Sequence, residues 1–185
     1  ETDVQALNAM ALEAPICISS GNEGDANVYA GQTITTAGGS FYVMLAGNFQ
    51  RVIDCWSSTS QPFDVTVLVV EKSTGRELAS ATCTGGRNLT INNSTEGISE
   101  YVSGSLGLSP FINTNNNRYD VRISGSLSMK SSYSSTHAFA LKLTASDPAR
   151  IDVYGNSYCT FVGFPITGYV NPSGDGSINV IKAVA

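Results

Sequence analysis

The 185-residue chain is 14% charged and 42% hydrophobic, with ten Lys and Arg against fifteen Asp and Glu and a formal charge of −5. Charge this sparse, beside ordinary hydrophobicity, excludes a disordered chain or a coiled coil, and the acidic balance argues against nucleic acid, which demands a basic face. No run approaches the ~18 apolar residues of a membrane-spanning helix.

Residues 1–14 contain neither Gly nor Pro. Read with period two, Val4, Ala6, Met10, Leu12 and Ala14 share a face; read with helical spacing, Val4, Leu7, Ala11 and Ala14 do. Either way the segment is an apolar arm that needs a partner surface. Pro15 closes it, and residues 15–185 read as one domain. The loop from Gly21 to Asn27 offers oxygen ligands without the spacing of a calcium loop, and ordinary turn chemistry accounts for it.

From Phe41 onward the dominant period is two. Apolar runs at Phe41–Leu45 and Arg51–Trp56 precede a plain hairpin signal. Phe63, Val65, Val67 and Val69 alternate with Asp64, Thr66 and Leu68, Lys72 to Arg76 make a Gly-containing turn, and Ala79, Ala81 and Cys83 share one side of the return. Alternation recurs at Tyr119-Val121-Ile123, at Phe139-Leu141-Leu143 and at Ile178-Val180, with shorter runs at Tyr158–Val162 and Ile166–Val170. Pro165 and Pro172 bracket the last of these, which favours an edge strand. Residues 113–117 and 130–136 read as surface turns, as do Asp147-Pro148 and Asp152. Roughly ten to twelve short strands separated by turn residues predict an all-β fold, an antiparallel immunoglobulin-like or Greek-key β-sandwich with an N-terminal arm.

Cys17, Cys55, Cys83 and Cys159 are widely spaced, which suits disulfides better than zinc. Four cysteines allow three connectivities; Cys17–Cys55 with Cys83–Cys159 is preferred, because both join segments read as strands. Acceptor sequons cluster at Asn88, Asn92 and Asn93. Together with the absence of a charged-then-apolar leader, these features predict a secreted, glycosylated chain exposed at the cell surface.

Catalytic chemistry finds little support. His137 is the single histidine, no G-x-S-x-G elbow accompanies any serine, and the carboxylates are scattered, with Glu71 and Glu77 merely flanking a hairpin turn. The expectation is no catalytic residue, no metal and no cofactor. Trp56, Tyr42, Tyr101, Tyr133, Tyr154, Tyr158 and Tyr169 could make a sugar platform, but Trp56 beside Cys55 reads as core packing.

The arm Val4-Ala6-Met10-Leu12, then Ala14-Pro15-Ile16-Cys17, then Phe49 to Cys55, resembles the fimbrial subunits of the donor-strand type. That resemblance covers about the first 70 residues. It implies a secreted sandwich lacking one strand, a Cys17–Cys55 disulfide between the first core strands, and a groove filled by the arm of the next subunit. The expected function is therefore an extracellular structural subunit that polymerises head-to-tail into a pilus or surface filament and adheres to glycans or other cell surfaces. The alternative is a secreted carbohydrate-binding or adhesion module; a secreted hydrolase using two carboxylates is a third reading.

Overall fold

A computed structural model describes residues 26–173. Among these residues the protein is all β. Eleven strands run in chain order: β1 (Tyr29–Ile34), β2 (Ser40–Leu45), β3 (Phe49–Ser57), β4 (Phe63–Glu71), β5 (Glu77–Cys83), β6 (Leu89–Asn92), β7 (Val102–Asn113), β8 (Arg118–Met129), β9 (His137–Ala145), β10 (Ala149–Tyr154) and β11 (Phe161–Val162). Their ladders are antiparallel and form two sheets, ordered β1-β10-β3-β8-β7-β6 and β11-β2-β9-β4-β5. The nesting of β1 with β10, β3 with β8 and β2 with β9 is that of a jelly roll, a two-sheet sandwich of Greek keys.

Period-two alternation decides what each sheet buries. Phe41, Val43 and Leu45 of β2, Phe63, Val65, Val67 and Val69 of β4, and Phe139, Leu141 and Leu143 of β9 point inward from the five-stranded sheet. They meet Ile53 and Cys55 of β3, Leu106 and Leu108 of β7, Val121 and Ile123 of β8, and Ile151 and Val153 of β10. Phe49 and Phe139 touch across the interior with ring centroids 5.1 Å apart. The hairpin expected around Lys72–Arg76 is present, with Gly75 at φ 69° in its turn.

The outer face of the five-stranded sheet departs from simple alternation. Leu68, Val70, Met44 and Ala140 point outward yet are buried, in a second apolar cluster with Tyr42, Ala138, Phe164 and Tyr169. A strap made by residues 163–172 covers them. Phe164 and Ile166 lie so close to Gly75 that a Cβ there would meet each at 2.8 Å. The strap then runs along β2, where Tyr42 N–H donates to the Gly168 carbonyl and Val170 N–H to the Tyr42 carbonyl. The expected strand at Ile166–Val170 is thus an irregular edge segment with a single parallel bridge, Tyr42 to Tyr169. The run Tyr158–Val162 likewise contributes only Phe161 and Val162 as strand.

The two ends of the described chain meet. Tyr29 and Ser173 exchange both backbone hydrogen bonds, at 3.1 and 2.8 Å, and Phe161 N–H donates to the Asn27 carbonyl at 2.7 Å.

Candidate ligand-binding face

Among the described residues no strap covers the outer face of the six-stranded sheet, and register places its side chains in rows across the strands. One row reads Phe111 (β7), Asp120 (β8), Trp56 (β3), Asp152 (β10) and Gly31 (β1). The next reads Ser109, Arg122, Asp54, Tyr154 and Tyr29. Strands about 4.8 Å apart bring neighbours in a row into reach of one another.

Most charges in these rows are matched. Arg122 Nε lies 3.0 Å from Asp54 Oδ1, and an Arg150 guanidinium nitrogen lies 2.9 Å from Asp152 Oδ1. Tyr29 donates its hydroxyl to the same Asp152 oxygen at 2.7 Å. Burial, then the Asp152 carboxylate, pushes the Tyr29 hydroxyl up to about 12. Gly31 makes room for this group, since a Cβ there would lie 2.4 Å from Asp152 Oδ1 and 2.6 Å from the Tyr29 hydroxyl.

Asp120 is the exception. It is 2% exposed, and neither carboxylate oxygen has a hydrogen-bond partner among the described residues. Burial raises its pKa to about 6 and the Asp54 charge adds to the rise, while the Asn113 amide, Arg118 and Arg122 pull the other way. Asn113 therefore faces the carboxylate without reaching good hydrogen-bond geometry. Phe111, 40% exposed, and the half-buried Trp56 stand on either side.

Trp56 is a correction to the sequence reading, which expected core packing. Ile53 and Cys55 take the inward positions of β3, so alternation turns Trp56 outward. Asp152, expected in a turn, lies inside β10. Tyr158, a further candidate aromatic, is exposed and carries the Arg51 guanidinium 3.8 Å from its ring centroid, beyond the charged rows. Tyr101 and Tyr133 pack on each other and on His137, whose Nδ1 contacts the Thr136 hydroxyl at 2.7 Å. His137 also lines a small cavity of about 220 Å³ with Lys72, Asn48 and Phe139, where Lys72 Nζ donates to the Ser134 carbonyl.

The other expected site residues are dispersed. Val4, Ala6, Met10, Leu12 and Cys17 lie outside the described residues. Cys55, Cys83 and Cys159 are buried free thiols, so the preferred Cys83–Cys159 bridge is not made. Cys83 ends β5 at one edge of the five-stranded sheet, whereas Cys159 precedes β11 at the opposite edge. Four strand spacings, roughly 19 Å, separate edges that a disulfide would need within about 7 Å. Cys83 instead contacts the Arg87 carbonyl at 3.1 Å, and burial pushes the Cys159 thiol up to about 11. Asn88 and Asn93 are exposed and Asn92 half-buried; Asn93 accepts from Gly104 N–H and Asn92 from Ser94 N–H. Glu71 and Glu77 serve the hairpin, Glu71 beside Arg76 at 3.8 Å and Glu77 accepting from the Tyr42 hydroxyl.

No family model matches the chain, and no curated protein matches it. Among solved structures it is similar to the protease CspB of Clostridium perfringens, with a TM-score of 0.45 and 12% identity. That likeness covers 78% of this chain and 29% of the protease chain.

Proposed function

We propose that residues 26–173 form an extracellular, non-catalytic recognition module that meets its ligand through the outer face of the six-stranded sheet. The contrast between the two outer faces carries this reading. One is apolar and sealed by the chain's own strap; the other has no strap among the described residues and bears Trp56 and Phe111 beside matched ion pairs and one buried, unmatched carboxylate. Recognition surfaces combine aromatic area with a few placed polar groups in this way. The backbone pairing of Tyr29 with Ser173 supports a second aspect, that residues 26–173 fold as one self-contained unit.

The test is flow cytometry of microbial and epithelial cells with the fluorescently labelled full chain. Binding should fall at least tenfold in Trp56→Ala and persist in Tyr158→Ala, whose side chain stands apart from the rows. Absence of binding, or equal loss in both variants, overturns the reading. Release of reducing sugar from polysaccharides by the same chain would overturn its non-catalytic part.

A further inference from the structure

We propose that the cavity at one end of the sandwich binds a small organic monocarboxylate whose apolar body is about the size of one six-membered ring. The cavity, about 220 Å³, lies between the sheets where β2 turns into β3. Met129 at the end of β8 lines it from one sheet, and Leu45 and Phe139 line it from the other; all three are buried core side chains. An engineered apolar cavity of ~150 Å³ holds a benzene molecule, so this volume has room for a ring. The rest of the lining is cationic. Lys72 and His137 belong to it and no Asp or Glu does, in a chain with fifteen acidic residues against ten Lys and Arg. Carboxylates on the adjoining segments are engaged elsewhere. Glu71, the register partner of His137, lies beside Arg76 and accepts from the Thr74 hydroxyl, while Glu100 accepts from the Tyr133 hydroxyl.

Three of the lining side chains have donors to spare. Lys72 Nζ gives one of its three protons to the Ser134 carbonyl at 2.7 Å. Asn48 accepts from Met129 N–H through its side-chain oxygen, and its amide protons have no partner among the described residues. His137 packs on the rings of Tyr101 and Tyr133, with centroids 5.6 and 5.2 Å away, and its Nδ1 contacts the Thr136 hydroxyl at 2.7 Å. With Nδ1 accepting from that hydroxyl, the neutral ring carries its proton on Nε2, which has no partner among the described residues. Spare donors beside an apolar wall match a ligand that brings two carboxylate oxygens and a hydrophobic body. A cation would meet Lys72 with no carboxylate to offset it, and an inorganic anion would leave the apolar wall in water. The site is separate from the outer sheet face and stands or falls independently of it.

The experiment is an amide-resolved NMR titration of the isotope-labelled full chain with sodium benzoate, benzylamine or sodium sulfate. Benzoate should shift the amides of residues 46–48 and 134–139, with a dissociation constant on the order of 1 mM for so small a ligand. Lys72→Met, which keeps the stem and removes the charge, should weaken binding about tenfold. Ala46→Glu sets a carboxylate at an exposed lining position and should abolish it. Lys142→Met, on the outer face of the same sheet beside Tyr42, should change nothing. A thermal melt of each variant verifies folding. N-acetylphenylalanine tests the other source of the same chemistry, since tighter binding than benzoate would assign the site to the carboxyl end of a peptide. No shift at these amides overturns the proposal, as does benzylamine or sulfate binding as well as benzoate, or an affinity unchanged in both Lys72→Met and Ala46→Glu.

Discussion

Asp120 concentrates the electrostatic cost of the sheet face. Its folded pKa of about 6 lies above the ordinary carboxylate value of 3.8, so between those values the folded chain holds a proton that the unfolded chain has released. Stability from this group is therefore greatest at low pH and is lost as pH rises from about 4 through 6. Arg118 and Arg122 offset part of the penalty, and we expect Asp120→Asn to stabilise the fold at pH 7 by ~1–2 kcal/mol. Melting curves should place the variant about 3–6 °C above the parent at pH 7 and level with it near pH 4. A variant that melts lower at pH 7 would mean that the carboxylate has a partner after all. The sequence carries half of this. Tyr119 and Val121 pack inward, so alternation alone turns Asp120 outward; Trp56 and Phe111, 64 and 9 positions away in sequence, are set on either side of it by register alone. Cys55 and Trp56 show the same division, because adjacency to a core cysteine suggests burial while the pleat sends the next residue to the other face.

The strap makes the five-stranded sheet a three-layer object at one place. Leu68 sits on the polar side of the β4 alternation, where a leucine would ordinarily contribute little, yet it is fully buried beneath the strap. Leu68→Ala should cost ~2–4 kcal/mol, read as a lowered midpoint in urea, whereas an exposed leucine would cost well under 1 kcal/mol. An unchanged midpoint would show that the strap does not hold. The thiols give a second check at this scale. In the folded protein Cys55, Cys83 and Cys159 should resist a thiol reagent and become reactive in denaturant, and a non-reducing peptide map should contain no Cys83–Cys159 link. Elements were legible where the signal is local. The β4–β5 hairpin, β8 and β9 announce themselves by alternation and turn residues, and β2 and β3 by shorter apolar runs. Others are made by partners. Strand β7 carries Gly104, Gly107 and Pro110, residues that weaken a strand signal, and it forms because β8 supplies a twelve-residue ladder. Strand β1 holds only six residues and pairs with β10, which lies more than a hundred residues onward. Long-range pairing of that kind leaves no period or spacing in one segment.

At the scale of the molecule, two readings of the flanking chain compete, and the geometry separates their consequences. A donor-strand subunit needs Val4, Ala6, Met10 and Leu12 to complete a neighbour's core, so deleting residues 1–14 should abolish filaments seen by negative-stain electron microscopy. A self-contained module is complete without them. The interior from Phe41 to Phe161 is filled by the two sheets, and the strap closes the outer face that alternation leaves apolar. Tyr29 and Ser173 are held side by side, so the loop-closure entropy of joining them is small. Residues 26–173 expressed alone should therefore melt in one cooperative transition, within a few degrees of the same module in the full chain. Joining residues 26 and 173 through a short Gly-Ser loop and opening the chain at the exposed 113–117 turn should preserve that transition, since the turn carries polar residues and the new junction spans an existing contact. A broad, non-cooperative melt of the excised module would assign part of its stability to the flanks and favour a chain that folds around its arm. A sharp melt of both the excised and the permuted forms would make the sandwich a self-contained unit that needs no arm.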